Sequence, residues 1–140
     1  MTEPLVIGCH GCNWVPDANT KMITLNRPST TGAIAMKLAG VDYQVPVGKK
    51  FVILSCSSGG WQQYAGIVGT SIYKGATAGA TTTLLISLVP SWGQHTYDTS
   101  AGNGGNNIET YIEVEAGQFV NSSNNSTNGS ASVTGVETNV

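Results

Sequence analysis

A chain of 140 residues has the length at which a single compact domain buries its own core. Hydrophobic residues make up 40% of it and charged residues only 10%, against roughly 25% in ordinary soluble domains, so uncharged polar side chains must cover the surface. With a formal net charge of −2 and six Lys and Arg in all, the chain carries no electrostatic footprint for nucleic acid, and no apolar run nears the roughly 20 residues that cross a bilayer.

The opening stretch, "MTEPLVIGCHGCNW", has neither the basic start nor the long apolar run of a secretion signal, which predicts a soluble, unprocessed protein. Cys9, Cys12 and Cys56 are an odd set, unlike the disulfide framework of a small secreted domain, and point to a reducing site of synthesis. An extracellular location is the alternative. Residues 1–20, with one short apolar run at Leu5–Ile7, read as an N-terminal arm.

Residues 21–120 read as the folded domain. Short β-branched and aromatic runs at Lys21–Leu25, Ala33–Lys37, Lys50–Ser55, Ile67–Tyr73, Thr81–Leu88, Ile108–Val114 and Phe119–Val120 bring the total to about eight strands. "GAIAMKLAG", Gly32–Gly40, also suits one or two helical turns. Turns such as Ser58-Gly59-Gly60 and Gly102-Asn103-Gly104-Gly105 separate runs too short and too close for βαβ units. The fold class is therefore all-β, a jelly-roll-like β-sandwich with extended arms at both ends. Its core and the contacts around it are expected from Val45, Val47, Phe51, Ile53, Leu84, Ile86, Tyr111, Ile112 and Val114.

From Asn121 the chain becomes "NSSNNSTNGSASVTGVETNV", which by composition belongs to disordered segments. Fixing such a backbone costs roughly 1–2 kcal/mol per residue, with little apolar surface to offset it. Residues 121–140 are thus expected to be a C-terminal arm ordered by a neighbouring copy, whose removal leaves the β-domain folded and abolishes assembly. Four N-x-S/T matches, at Asn121, Asn124, Asn125 and Asn128, would accept glycans if the chain were secreted by a eukaryote or archaeon.

One phrase occurs twice. "VPVGKKFVI" starts at Val45 and "VEAGQFV" at Val114; each ends a strand or turn at Val-x-φ-Gly and begins a new apolar run at Phe51 or Phe119. Gly48 and Gly117 supply the backbone freedom of a tight turn, so each copy is a strand-turn-strand corner.

These two stretches, with "IETYIEVEAGQFV" as a closing strand pair, resemble the small jelly-roll modules of virion structural proteins, such as the capsid decoration (cement) proteins and fibre-head domains of tailed bacteriophages. The resemblance covers roughly Tyr43 to Val120. It implies a trimeric or otherwise symmetric subunit on a capsid surface, partnered by copies of itself and by a major capsid protein, with no chemistry of its own. Low charge density agrees with burial against copies, since an unpaired buried charge is costly while Thr, Ser and Asn pair by hydrogen bonds.

Candidate chemistry is sparse. Cys9 and Cys12 form half of a zinc pattern that Cys56 and His10 or His95 would have to complete, but no second half follows, so no metal or other cofactor is expected. A disulfide from Cys9 or Cys12 to Cys56, or buried free thiols, are the other readings. Covalent haem attachment fails because Asn13, not His, follows Cys12. Glu113 and Glu115 lie two apart on an expected strand and share a face, as a solvated edge or one side of an acid pair. His95, Asp98 and Ser91 or Ser100 supply the residue types of a triad without any positional signature. No enzyme is expected.

Trp61 and Tyr64 in "SGGWQQYAG", with Trp92, are candidate glycan or partner contacts, core packing being the alternative. The reading is a structural subunit of a virion, most specifically a capsid decoration protein. The first alternative is a subunit of an extracellular filament or surface layer joined to its neighbours by strand donation, and the second a carbohydrate-binding module.

Overall fold

The computed structural model describes residues 20–28, 30–60, 70–88, 104–124 and 130–140. These form ten strands: β1 (Lys21–Arg27), β2 (Gly32–Ala35), β3 (Lys37–Leu38), β4 (Val41–Asp42), β5 (Lys49–Gly60), β6 (Thr70–Gly75), β7 (Thr83–Leu88), β8 (Gly104–Val114), β9 (Phe119–Asn124) and β10 (Ser130–Asn139). All pairings are antiparallel. A six-stranded sheet runs β4-β3-β1-β10-β5-β8 and a four-stranded sheet runs β2-β9-β6-β7. The two make a β-sandwich, as the composition predicted, and "GAIAMKLAG" is strand rather than helix.

The pairings trace one long ribbon. Its two limbs pair β1 with β10, β2 with β9, β5 with β8 and β6 with β7. The ribbon is wound so that β10 also pairs with β5, and β9 with β6. Each limb must therefore cross between sheets. At the β2–β3 bend the crossing residue is Met36, fully buried, whose amide donates to Val120 O (2.8 Å).

The repeated phrase marks another crossing, and both copies stand at the same rung. Lys49 N donates to Pro46 O (3.1 Å) and Gln118 N to Glu115 O (3.2 Å), closing two four-residue turns with Gly48 and Gly117 at φ 78° and 83°. The turns bind one another: Gly117 N donates to Val45 O (2.8 Å) and Val45 N to Gln118 O (2.9 Å). Phe51 then pairs with Val114 across β5 and β8, while Phe119 bridges to Gln44. One limb enters the six-stranded sheet where the other leaves it, so both need the same turn.

The core between the sheets holds Ile23, Leu25, Met36, Tyr43, Val45, Phe51, Ile53, Cys56, Ile72, Leu88, Val114, Val120 and Val133. Tyr43 and Phe51 meet edge to face at 5.4 Å. Of the expected core, Val45, Phe51, Ile53 and Val114 are buried and Ile86 and Ile112 pack partly buried against it. Three expectations are corrected. Val47 is 94% exposed because it follows Pro46 at the outward corner of its turn. Leu84 is 56% exposed on the edge strand β7, and Tyr111 is 68% exposed on the solvent face of β8.

The expected C-terminal arm is also corrected. Ser130–Asn139 is strand β10, hydrogen-bonded to β1 on one side and β5 on the other, within the chain's own sheet. Ala131, Val133 and Gly135 point inward, the first two between polar neighbours, and these small residues suffice because larger ones on β1 and β5 fill the layer. Asn121–Asn124 belongs to β9, so the sandwich continues past residue 120. The expected N-terminal arm, residues 1–20, lies outside the described residues apart from Thr20.

Candidate functional site

The solvent face of the six-stranded sheet is set by alternation along four strands. Ile23, Leu25, Val133, Phe51 and Ile53 point into the core, so their neighbours point out. Register aligns those neighbours into rows. One row runs Asn26, Ser132, Ser57, Asn107; the next runs Thr24, Thr134, Ser55, Glu109; the third runs Met22, Val136, Val52, Glu113.

Hydrogen bonds run within these rows. Ser132 Oγ donates to Asn26 Oδ1 (2.9 Å), and the Thr24 and Thr134 hydroxyls lie 3.0 Å apart. In the third row Val136 and Val52 are buried, while Met22 stands half-exposed. Tyr111 Oη lies 3.5 Å from Glu113 Oε1, and Lys50 Nζ donates to that oxygen at 3.0 Å, which raises the Lys50 pKa.

The second feature is one side of the sandwich. There the edge strands are β7 and β8, and among the described residues neither has a partner on its outer side. Natural proteins blunt such edges with Lys, Pro or short strands. Neither Thr83–Leu88 nor Gly104–Val114 contains Lys or Pro, and β8 is 11 residues long.

The sequence candidates fall differently. Trp61, Tyr64 and Trp92, together with Cys9, Cys12, His10, Ser91, His95, Asp98 and Ser100, lie outside the described residues. Cys56 is a buried free thiol in β5, pushed up to about 11 by desolvation, which suits an inert core residue better than a ligand or nucleophile. Among the described residues no three His, Cys, Asp or Glu gather as a metal site, and no helix is long and apolar enough to cross a membrane.

Glu113 and Glu115 do not act as a pair. Glu113 is held by Lys50 of its own sheet, whereas Glu115 accepts from Lys74 Nζ (2.7 Å) of the other, a bond that lowers the Glu115 pKa. Two sequons are also closed. Asn121 is buried, with Oδ1 accepting from Gly79 N (2.9 Å) and Nδ2 donating to Thr77 O (3.1 Å) and Ala80 O (2.9 Å). Asn124 is buried with Nδ2 on Thr70 Oγ1 (2.6 Å). Both amides are committed inside the fold.

At one end the interior is polar. Arg27, 3% exposed, reaches from β1 across to the other sheet, where Nη1 donates to Ser122 O (2.8 Å) and Oγ (3.0 Å) and Nη2 to Thr30 O (2.6 Å) and Gly32 O (2.7 Å). Burial lowers its pKa. Among the described residues, Arg27 Nε and Ser58 Oγ are buried without a partner.

The solvent-face rows went unread in the sequence. Their signal was present as Thr24-x-Asn26, Ser55-x-Ser57, Asn107-x-Glu109 and Ser132-x-Thr134, four alternations of polar side chains, but only the register places them side by side. The chain matches no protein-family model and no curated protein.

Proposed function

We propose that the chain is a non-enzymatic structural subunit of a symmetric assembly, and in its most specific form a capsid decoration protein seated on a viral shell. The observation that carries the reading is the β7–β8 side, where two unblunted edges lie together with Leu84 exposed. An edge of this length is a template for another strand, and a second copy offers a matching one. The low charge of the chain suits a surface buried against copies.

Support for the jelly-roll form comes from strand order. With β3 and β4 set aside as an extension of one edge, the sheets run β1-β10-β5-β8 and β2-β9-β6-β7. Two such wound sheets are the architecture of many viral capsid and lectin domains. In the filament alternative the donated strand would be β10, exchanged between copies for the one it holds at home.

Light scattering at two widely separated protein concentrations tests the assembly. A fixed trimer or larger particle is expected at both, and a shift to monomer in Leu84→Lys/Ser87→Lys, which places two charges on the β7 edge. A wild-type monomer at both concentrations overturns the reading.

A further inference from the structure

We propose that the solvent face of the six-stranded sheet binds a neutral polysaccharide chain, lying across β1, β10, β5 and β8 with one ring stacked on Tyr111. None of its residues belongs to the β7 edge or to the tryptophan stretches singled out in the sequence.

Three properties of the face select that ligand. First, the rows Asn26-Ser132-Ser57-Asn107 and Thr24-Thr134-Ser55-Glu109 carry seven uncharged polar side chains and a single charge. Hydroxyls and amides both donate and accept, which matches the hydroxyls of a sugar, whereas a phosphate or sulfate needs the cations these rows lack. The lone charge, Glu109, is negative; it accepts from neighbouring sugar hydroxyls and repels an acidic glycan.

Second, exposed apolar groups flank the polar rows: Val136 and Val52 of the adjoining row are buried, while Met22 at one end and Tyr111 beside Glu113 at the other stand in solvent. A pyranose chain has the same two characters, hydroxyl edges and C–H faces, and an exposed aromatic ring takes the C–H face. A protein partner fits less well, because the centre of the face offers no protruding anchor for a pocket.

Third, the face is built in advance. Neighbouring strands stand about 4.8 Å apart, close to the length of one ring in an extended sugar chain, so each strand presents polar groups to a successive ring. The Ser132–Asn26 and Thr24–Thr134 contacts already fix the side chains that would otherwise lose rotamer freedom on binding.

The test is native affinity electrophoresis of the full chain in gels containing soluble β-glucan, arabinoxylan, galactomannan or dextran, with polygalacturonate as the acidic control. Retardation by at least one neutral polymer and none by polygalacturonate is expected. Tyr111→Ala and Glu109→Gln should each weaken that retardation about tenfold, the loss of roughly one hydrogen bond to a charged group in the second case. Both positions are exposed, and an unchanged melting temperature shows that the fold is kept. Leu84→Lys/Ser87→Lys should retain full retardation whatever it does to particle mass. Absence of retardation by every neutral polymer overturns the proposal, as does retardation that survives both face variants or that Trp61→Ala alone removes.

Discussion

Gly135 lies directly beneath the ring of Phe51: a Cβ built on the glycine would stand 2.7 Å from Phe51 Cζ and 2.2 Å from the carbonyl oxygen of Val52. The glycine is required by close approach, not by an unusual backbone angle. It sits where β10 steps past a bulge in β5, the register jumping from Thr134–Ser55 to Gly135–Ile53.

Gly135→Ala is therefore expected to cost at least about 3 kcal/mol, because backbone as well as a core ring must move. Gly117→Ala meets no neighbouring atom and pays only for a left-handed backbone, about 1–2 kcal/mol. Urea unfolding of the two variants checks the order. Equal losses would mean that Phe51 has room to shift.

Deletion of residues 130–140 should unfold the domain. It removes the strand between β1 and β5 and strips the Tyr43 hydroxyl of the Glu137 carboxylate it donates to at 2.9 Å. Loss of dispersed amide NMR signals in the truncated chain is the expected result. A folded product would return this segment to the role of an arm.

Arg27 joins the sheets through four bonds to uncharged acceptors. Lysine keeps the charge but cannot span Ser122, Thr30 and Gly32 with one ammonium group. Arg27→Lys should lose about 2–3 kcal/mol by chemical denaturation.

Alkaline pH should destabilise the fold through Cys56. Its thiol is raised from 9.0 to about 11 by burial, so the native state holds its proton where the unfolded chain has released it. Fewer protons on the unfolded state mean that stability falls as pH rises from about 9 to about 11, by about 2–3 kcal/mol in all. Burial and the Glu137 hydrogen bond also raise Tyr43, which adds a loss in the same direction from about pH 10 upward. Cys56→Ala should flatten the first part of the profile, read from urea midpoints across that range.

What the sequence disclosed was what bulk and turn chemistry encode. Seven of the eight expected strands overlap observed ones, because Ile, Val, Leu and Phe repeat at strand spacing there, and Gly48 and Gly117 announced their turns. Leu5–Ile7 falls outside the described residues. β10 escaped because Ala131, Val133 and Gly135 are small enough to pass for a polar tract, and only their partners on β1 and β5 make them core. Val47, Leu84 and Tyr111 were misplaced for one reason: hydrophobicity does not say which way a side chain points at a turn or an edge. The solvent-face rows needed register, which no local pattern carries.

Thr24 and Thr134 touch across 110 residues of chain. During synthesis, then, β1 and β5 are both made long before the strand that separates them, and each must wait with a bare edge. Slow, late closure of this kind leaves a vacancy that a β10 from another copy fits equally well. In a crowded field of nascent chains, the seam that completes one molecule is therefore the place where an exchange of strands between copies would begin.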